Sequence, residues 1–255
     1  MVNVNSVYQT VLLILNQQQR GYITPDEFNK IGTQAQLDMF EGYASDLNQQ
    51  YRLSQNDTEY SNRVKNIQEK LQYFQRTSTP VYNAVLGKFI ILDFPTYNLN
   101  PAQEYPFVFN PSSGVDEVLY RLGTVFYKDY DLGQYTQRNE LRQLLLSPLT
   151  QPTTNFPIYL YENDELQVFP NTIQSDITIS YLKRPNNVLW DFTTDPVSGA
   201  YVYEQGTSIQ FELDPTEQNE LILRILSYAG VIIQDPTIIQ VAAAQVAAED
   251  NKEKQ

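Results

Sequence analysis

The sequence predicts an α+β fold in which helical N-terminal and C-terminal parts pack together with a β-rich middle segment. Three observations carry this. Residues 1–78 and 214–255 place apolar side chains at helical spacing. Residues 79–213 change to strand grammar, with frequent prolines, clustered aromatics and β-branched residues. At 255 residues, 42% hydrophobic and 13% aromatic, the chain can bury a sizeable core.

The elements follow in order. Val4, Val7, Val11 and Leu15 mark a first helix that Gly21 ends. Thr24-Pro25-Asp26-Glu27 opens a second: Thr24 caps, Pro25 takes the first helical position and Glu27 completes a capping box. Its buried side runs through Phe28, Ile31, Ala35, Met39, Tyr43 and Leu47, to an end near Leu53. Asn56-Asp57 begins a third helix, where Tyr60, Val64, Ile67, Leu71 and Phe74 form a short a/d stripe, read as a packed helical hairpin in preference to an intermolecular coiled coil. Val85–Leu92 and Val118–Tyr127 read as strands, and Gln137–Leu146 as a short helix ended by Ser147-Pro148. Pro157–Pro170 reads as a β-hairpin turning at Glu162-Asn163-Asp164-Glu165. Asp176–Leu182 is a strand with Ile177, Ile179 and Tyr181 on one face. Asp214-Pro215-Thr216-Glu217 starts a helix with the stripe Leu221, Ile222, Ile225, Ala229 and Ile232. Asp235-Pro236 stops it and opens a last helix from Thr237 to about Asp250, before a polar tail.

Composition narrows the chemistry. There is no cysteine and no histidine, which removes disulfides, Cys or His metal sites, Ser-His-Asp triads and imidazole proton shuttles. Carboxylate, Lys or Tyr chemistry remains, as does hard-cation binding by oxygen. Charged residues are only 18%, and 26 Gln with 20 Asn fill the gap. Amides desolvate more cheaply than Lys or Glu, so such a surface suits broad contacts with other chains; compositional drift in an AT-rich genome accounts for it equally well. A net charge of −13 argues against a conventional grip on nucleic acid and suits a surface over which DNA slides without sticking. The run Val11–Leu15 is too short for a secretory signal, and no stretch approaches the ~20 apolar residues of a membrane span. A soluble, cytosol-made protein is expected.

Four motifs invite a functional reading. Gly21, Ile23 and Glu27 match an EF-hand loop beginning at Asn16, yet Asn16, Gln18 and Arg20 stand where it needs carboxylates, so no calcium is expected. Asp116/Glu117 and Glu162/Asp164/Glu165 are the densest acidic groups, and both read as exposed acids at turns or element starts. No catalytic, metal or cofactor-binding residue is therefore assigned. Lys183-Arg184 and the sole Trp190 form a candidate contact point for DNA phosphate or an acidic neighbour; alternatively Trp190 plugs the core edge and the cations are solvated. In the last helix Ile238, Ile239, Val241 and Val246 lie among Ala242, Ala243, Ala244, Ala247 and Ala248, a narrow face for docking on another subunit or on the preceding helix.

Four stretches in order carry a resemblance. They are Gln19-Arg20-Gly21-Tyr22-Ile23-Thr24-Pro25-Asp26-Glu27-Phe28-Asn29; Phe156-Pro157-Ile158-Tyr159 leading to Val168-Phe169-Pro170; Ile177–Pro185 with Trp190 beyond; and Glu220–Gly230 followed by Asp235-Pro236. As a set they resemble head-to-tail connector proteins of tailed bacteriophages, including crAss-like phages, which form rings in the neck between portal and tail. The resemblance implies a homo-oligomeric ring, commonly a dodecamer, around the DNA channel of the virion. It implies the portal protein and neighbouring neck or tail rings as partners, transient non-specific contact with genomic DNA, assembly in the host cytoplasm, and no membrane, cofactor or enzymatic activity. Two other classes stay open. One is a tail or hub protein binding host glycans, for which 19 Tyr and 12 Phe offer stacking surfaces. The other is a carboxylate-based tail glycosidase.

Overall fold

The computed structural model describes residues 1–17, 22–50, 58–91, 107–110, 115–128, 131–132, 134–163, 165–233 and 240–247. Helices α1 (Val4–Gln17), α2 (Pro25–Gln50) and α3 (Thr58–Leu71) come first. Strands β1 (Gln75–Ser78), β2 (Val81–Asn83), β3 (Lys88–Ile90), β4 (Phe107–Asn110), β5 (Val115–Tyr127), β6 (Asp131–Leu132) and β7 (Gln134–Tyr135) follow. Then come α4 (Arg138–Leu146), β8 (Ile158–Glu162), β9 (Glu165–Phe169), β10 (Ile177–Lys183), β11 (Phe192–Thr194) and β12 (Tyr201–Tyr203). A 3₁₀ turn, Pro215–Glu217, leads into α5 (Gln218–Ile233). The fold class is the expected α+β.

The chain forms two compact units. One comprises Met1–Tyr73 and Pro185–Gln255; the other is Phe74–Arg184. In the first, α5 packs against α1 and α2, and α2 against α3. Val4, Val7, Val11 and Leu15 are all buried, as are Phe28, Ile31, Ala35, Met39 and Tyr43 of α2 and Leu221, Ile222, Ile225 and Ala229 of α5. The capping box at α2 is formed: Thr24 N–H donates to Glu27 Oε2 at 2.9 Å, and Glu27 N–H donates to Thr24 Oγ1 at 3.4 Å. At the α5 start Asp214 Oδ1 accepts from the Thr216 amide at 2.9 Å, but Glu217 turns inward instead of closing a box.

Residues 185–213, read from sequence as part of the β-rich middle, belong to this helical unit. They run as extended chain with isolated bridges Val2↔Phe211 and Leu189↔Ile209, plus the β11–β12 hairpin. Side chains of α2 satisfy their backbone. Asn29 accepts from Trp190 N–H at 2.7 Å and donates to Trp190 C=O at 3.2 Å. Thr33 accepts from Val188 N–H at 3.0 Å. Gln36 donates to Asn186 C=O at 2.9 Å and accepts from Glu212 N–H at 2.8 Å. These positions recur at helical spacing, so one polar stripe of a helix replaces a neighbouring strand.

The second unit holds two sheets. One has the order β1-β10-β5-β4 with β6 on β5, and the other β2-β3-β9-β8-β7, antiparallel except for β7–β8. Val125, Ile177, Ile179 and Tyr181 of the first share a core with Phe89, Tyr159, Leu166 and Val168 of the second. Leu141 of α4 covers the other face of the second sheet through Ile158, Leu160 and Phe169. The predicted hairpin is β8–β9, with Asn163 at φ 53° in its turn, a conformation Asn tolerates well. β10 alternates buried and half-buried residues as its sequence required.

Two local expectations need correction. Val85 and Leu86 are not strand: they lie in the β2–β3 turn, because Asn83 Oδ1 takes both of their amides, at 2.9 and 3.2 Å. Gly87, at φ 65°, closes that turn. Phe74 is not on α3 but follows its end, and its carbonyl accepts from Lys183 N–H at 2.9 Å.

Candidate interaction surfaces

Lys183, at the end of β10, is 2% exposed. A cation enclosed by its own chain offers nothing to phosphate or to a neighbour, which corrects its expected role as a contact residue. Arg184 is half-buried. Trp190 is buried too. Its indole Nε1 donates to Asn5 Oδ1 at 3.1 Å, and its ring lies 4.5 Å from Tyr8 and 5.7 Å from Phe192 and Tyr203. It is the centre of an aromatic core, not a surface anchor. Ile238 and Ile239 fall outside the described residues. Residues 240–247 are helical, with Val241 exposed, Ala242 buried and Val246 half-buried. That stretch rests on its own chain through Ala242 and turns Val241 outward.

The acidic groups have structural partners. Glu162 Oε1 and Oε2 accept from Arg138 Nε at 3.1 and 2.9 Å, and that hydrogen bonding holds the Glu162 carboxyl below its ordinary range. Glu165 pairs with Lys88. Asp164 lies outside the described residues, as do the side chains of Asp116 and Glu117, whose backbone in β5 faces Phe109 and Val108 of β4. Glu27, the twelfth position of the calcium-like loop, is engaged by Thr24, whose backbone amide is the first cause of its lowered pKa. Gln18, Arg20 and Gly21 of that loop lie outside the described residues. Among the described residues no group of three or more acids is placed to hold a metal ion.

Two features escaped the sequence reading. The first is a set of exposed apolar residues at and beyond the end of α4 in the second unit: Leu146, Leu149 and Phe156 are 83%, 95% and 80% exposed. Large apolar side chains in one exposed segment mark an interaction surface more often than scattered ones do. The leucine run 144–146 is its signal in the sequence, masked by the helical pattern in which it sits.

The second is a cleft of about 460 Å³ in the first unit, between α1 and the β11–β12 hairpin. Tyr8, Tyr22, Tyr201 and Tyr203 supply its walls, and Trp190 its back. Burial raises the Tyr8 phenol well above the usual tyrosine range, and a hydrogen bond with Tyr22 adds to this. Asn5 and Gln9, one turn apart on α1, add amide groups. Its parts come from opposite ends of the chain, so no local motif announces it.

No protein-family model matches the chain, and no curated protein sequence matches it significantly. Among the described residues no helix is long and apolar enough to cross a membrane.

Proposed function

We propose that the chain is a structural subunit of a phage virion, forming a homo-oligomeric ring in the portal–tail neck around the DNA channel. The observation that carries this reading is the exposed apolar set Leu146, Leu149 and Phe156, a surface that a subunit keeps when another copy covers it. The ordered resemblance of the four sequence stretches supplies the neck context. The charge of −13 per subunit suits a conduit that passes DNA without holding it, so duplex binding by the isolated protein is weak and salt-sensitive.

Light scattering and negative-stain electron microscopy of the purified full chain test the reading. Closed rings are expected, and the triple variant Leu146→Ser/Leu149→Ser/Phe156→Ser is expected to stay monomeric with an unchanged melting temperature. A wild-type chain that remains monomeric at high concentration, or tight DNA binding at physiological salt, overturns it.

A further inference from the structure

We infer that the cleft between α1 and the β11–β12 hairpin is a binding site for a neutral saccharide, one or two pyranose rings long. This goes beyond the ring reading and does not depend on it. The cleft has the size of an ordinary small-molecule site, and among the described residues that line it none is charged. A pyranose has C–H faces that sit on aromatic rings and a rim of hydroxyls that both donate and accept. The cleft offers the complement of each. Tyr22 and Tyr201 stand at its mouth 54% and 45% exposed, so their rings are accessible to a ligand.

Phenol hydroxyls and the exposed Gln9 amide provide groups that donate and accept in the same small space. Gly199 and Ala200 line the hairpin side with little side chain, which leaves room beside the Tyr201 ring. Aromatic grooves also take proline-rich peptides, but these bring carbonyl acceptors and few donors, whereas each sugar hydroxyl does both and so also matches the acceptor oxygens of the amides and phenols. Anionic sugars are disfavoured by a body carrying −13. Neutral glycans satisfy all three constraints.

Trp190 is the only tryptophan and backs the cleft, so its emission reports occupancy. The full chain is titrated with maltose, cellobiose, N,N′-diacetylchitobiose and a proline-rich decapeptide, with saturation-transfer NMR as a second readout. At least one disaccharide is expected to bind saturably in the millimolar range. Tyr201→Ala and Gln9→Ala should each weaken it about tenfold or more at unchanged melting temperature, and Tyr201→Phe less. No saturable response to any disaccharide by either method overturns the inference. So does binding that survives both Tyr201→Ala and Tyr22→Ala, or a response to the peptide alone.

Discussion

The side-chain amide of Asn29 in α2 binds both backbone groups of Trp190, accepting its N–H at 2.7 Å and donating to its carbonyl at 3.2 Å. A helix residue thereby does what a neighbouring strand would do for residues 186–190. Replacing Asn29 with Leu leaves two backbone groups without partners, each a desolvation loss once water is excluded. The expected cost is about 2 kcal/mol in urea unfolding, with a red shift of Trp190 emission as the segment lifts. A variant as stable as the parent, with unshifted emission, shows that the α2 stripe does not hold this segment.

Glu217 is buried beneath the α5 start, where Lys70 Nζ lies 3.0 Å away and the Tyr43 hydroxyl donates to it at 2.9 Å. Lys70 also sits over the Tyr43 ring, 5.1 Å from its centroid. Lys70→Met strands a buried carboxylate and is expected to cost about 3 kcal/mol. Lys70→Met with Glu217→Leu should recover most of that, because the pair is removed together. Chemical denaturation of both variants decides it: equal losses would mean the pairing is incidental.

Two glycines should respond in opposite directions. Gly123 lies in the β5–β10 pairing where the register shifts between Ile179 and Tyr181, and a Cβ there would stand 2.9 Å from the Ser180 carbonyl oxygen. Gly123→Ala should cost about 1–3 kcal/mol, since backbone must move. Gly42, inside α2, has nothing within 4 Å of an added Cβ, so Gly42→Ala should stabilise by about 0.5–1 kcal/mol. Thermal melts read both.

Stability should depend on pH at both ends. Hydrogen bonds from Thr24, Arg138 and Thr216 hold the carboxyls of Glu27, Glu162 and Asp214 below their ordinary values of 4.5, 4.5 and 3.8. Each folded pKa lies below the unfolded one, so the contribution is complete above those ordinary values and is lost as pH falls through the depressed ones. Tyr228 runs the other way. Its hydrogen bond to Asp38 pushes it up to about 12 from 10.0, so its contribution is complete below 10.0 and lost as pH rises toward 12. Melting temperature should thus form a plateau through neutral pH with two falling limbs. Glu27→Gln with Asp214→Asn should flatten the acid limb, and a limb unchanged in that variant refutes the assignment.

The sequence by itself determined whatever depends on neighbours a few positions away. The Thr24–Glu27 box, the Asn163 turn of β8–β9 and the alternation of Ile177, Ile179 and Tyr181 are set by backbone geometry and periodicity, and each was legible before any contact was known. Only the tertiary structure decided the rest. The amide-rich composition pointed to surfaces between chains, yet Asn29 and Gln36 use their amides within the chain, on residues 161 and 150 positions away. Lys183 carries a charge that propensity places outside, but it ends the central strand β10 and is enclosed there. The cleft joins Tyr8 to Tyr201, and Leu146 stays exposed although it ends an amphipathic helix, a fact of packing and not of pattern. Burial and long-range hydrogen bonding are properties of the packed whole, and a one-dimensional pattern of side chains carries them only where the partners are local.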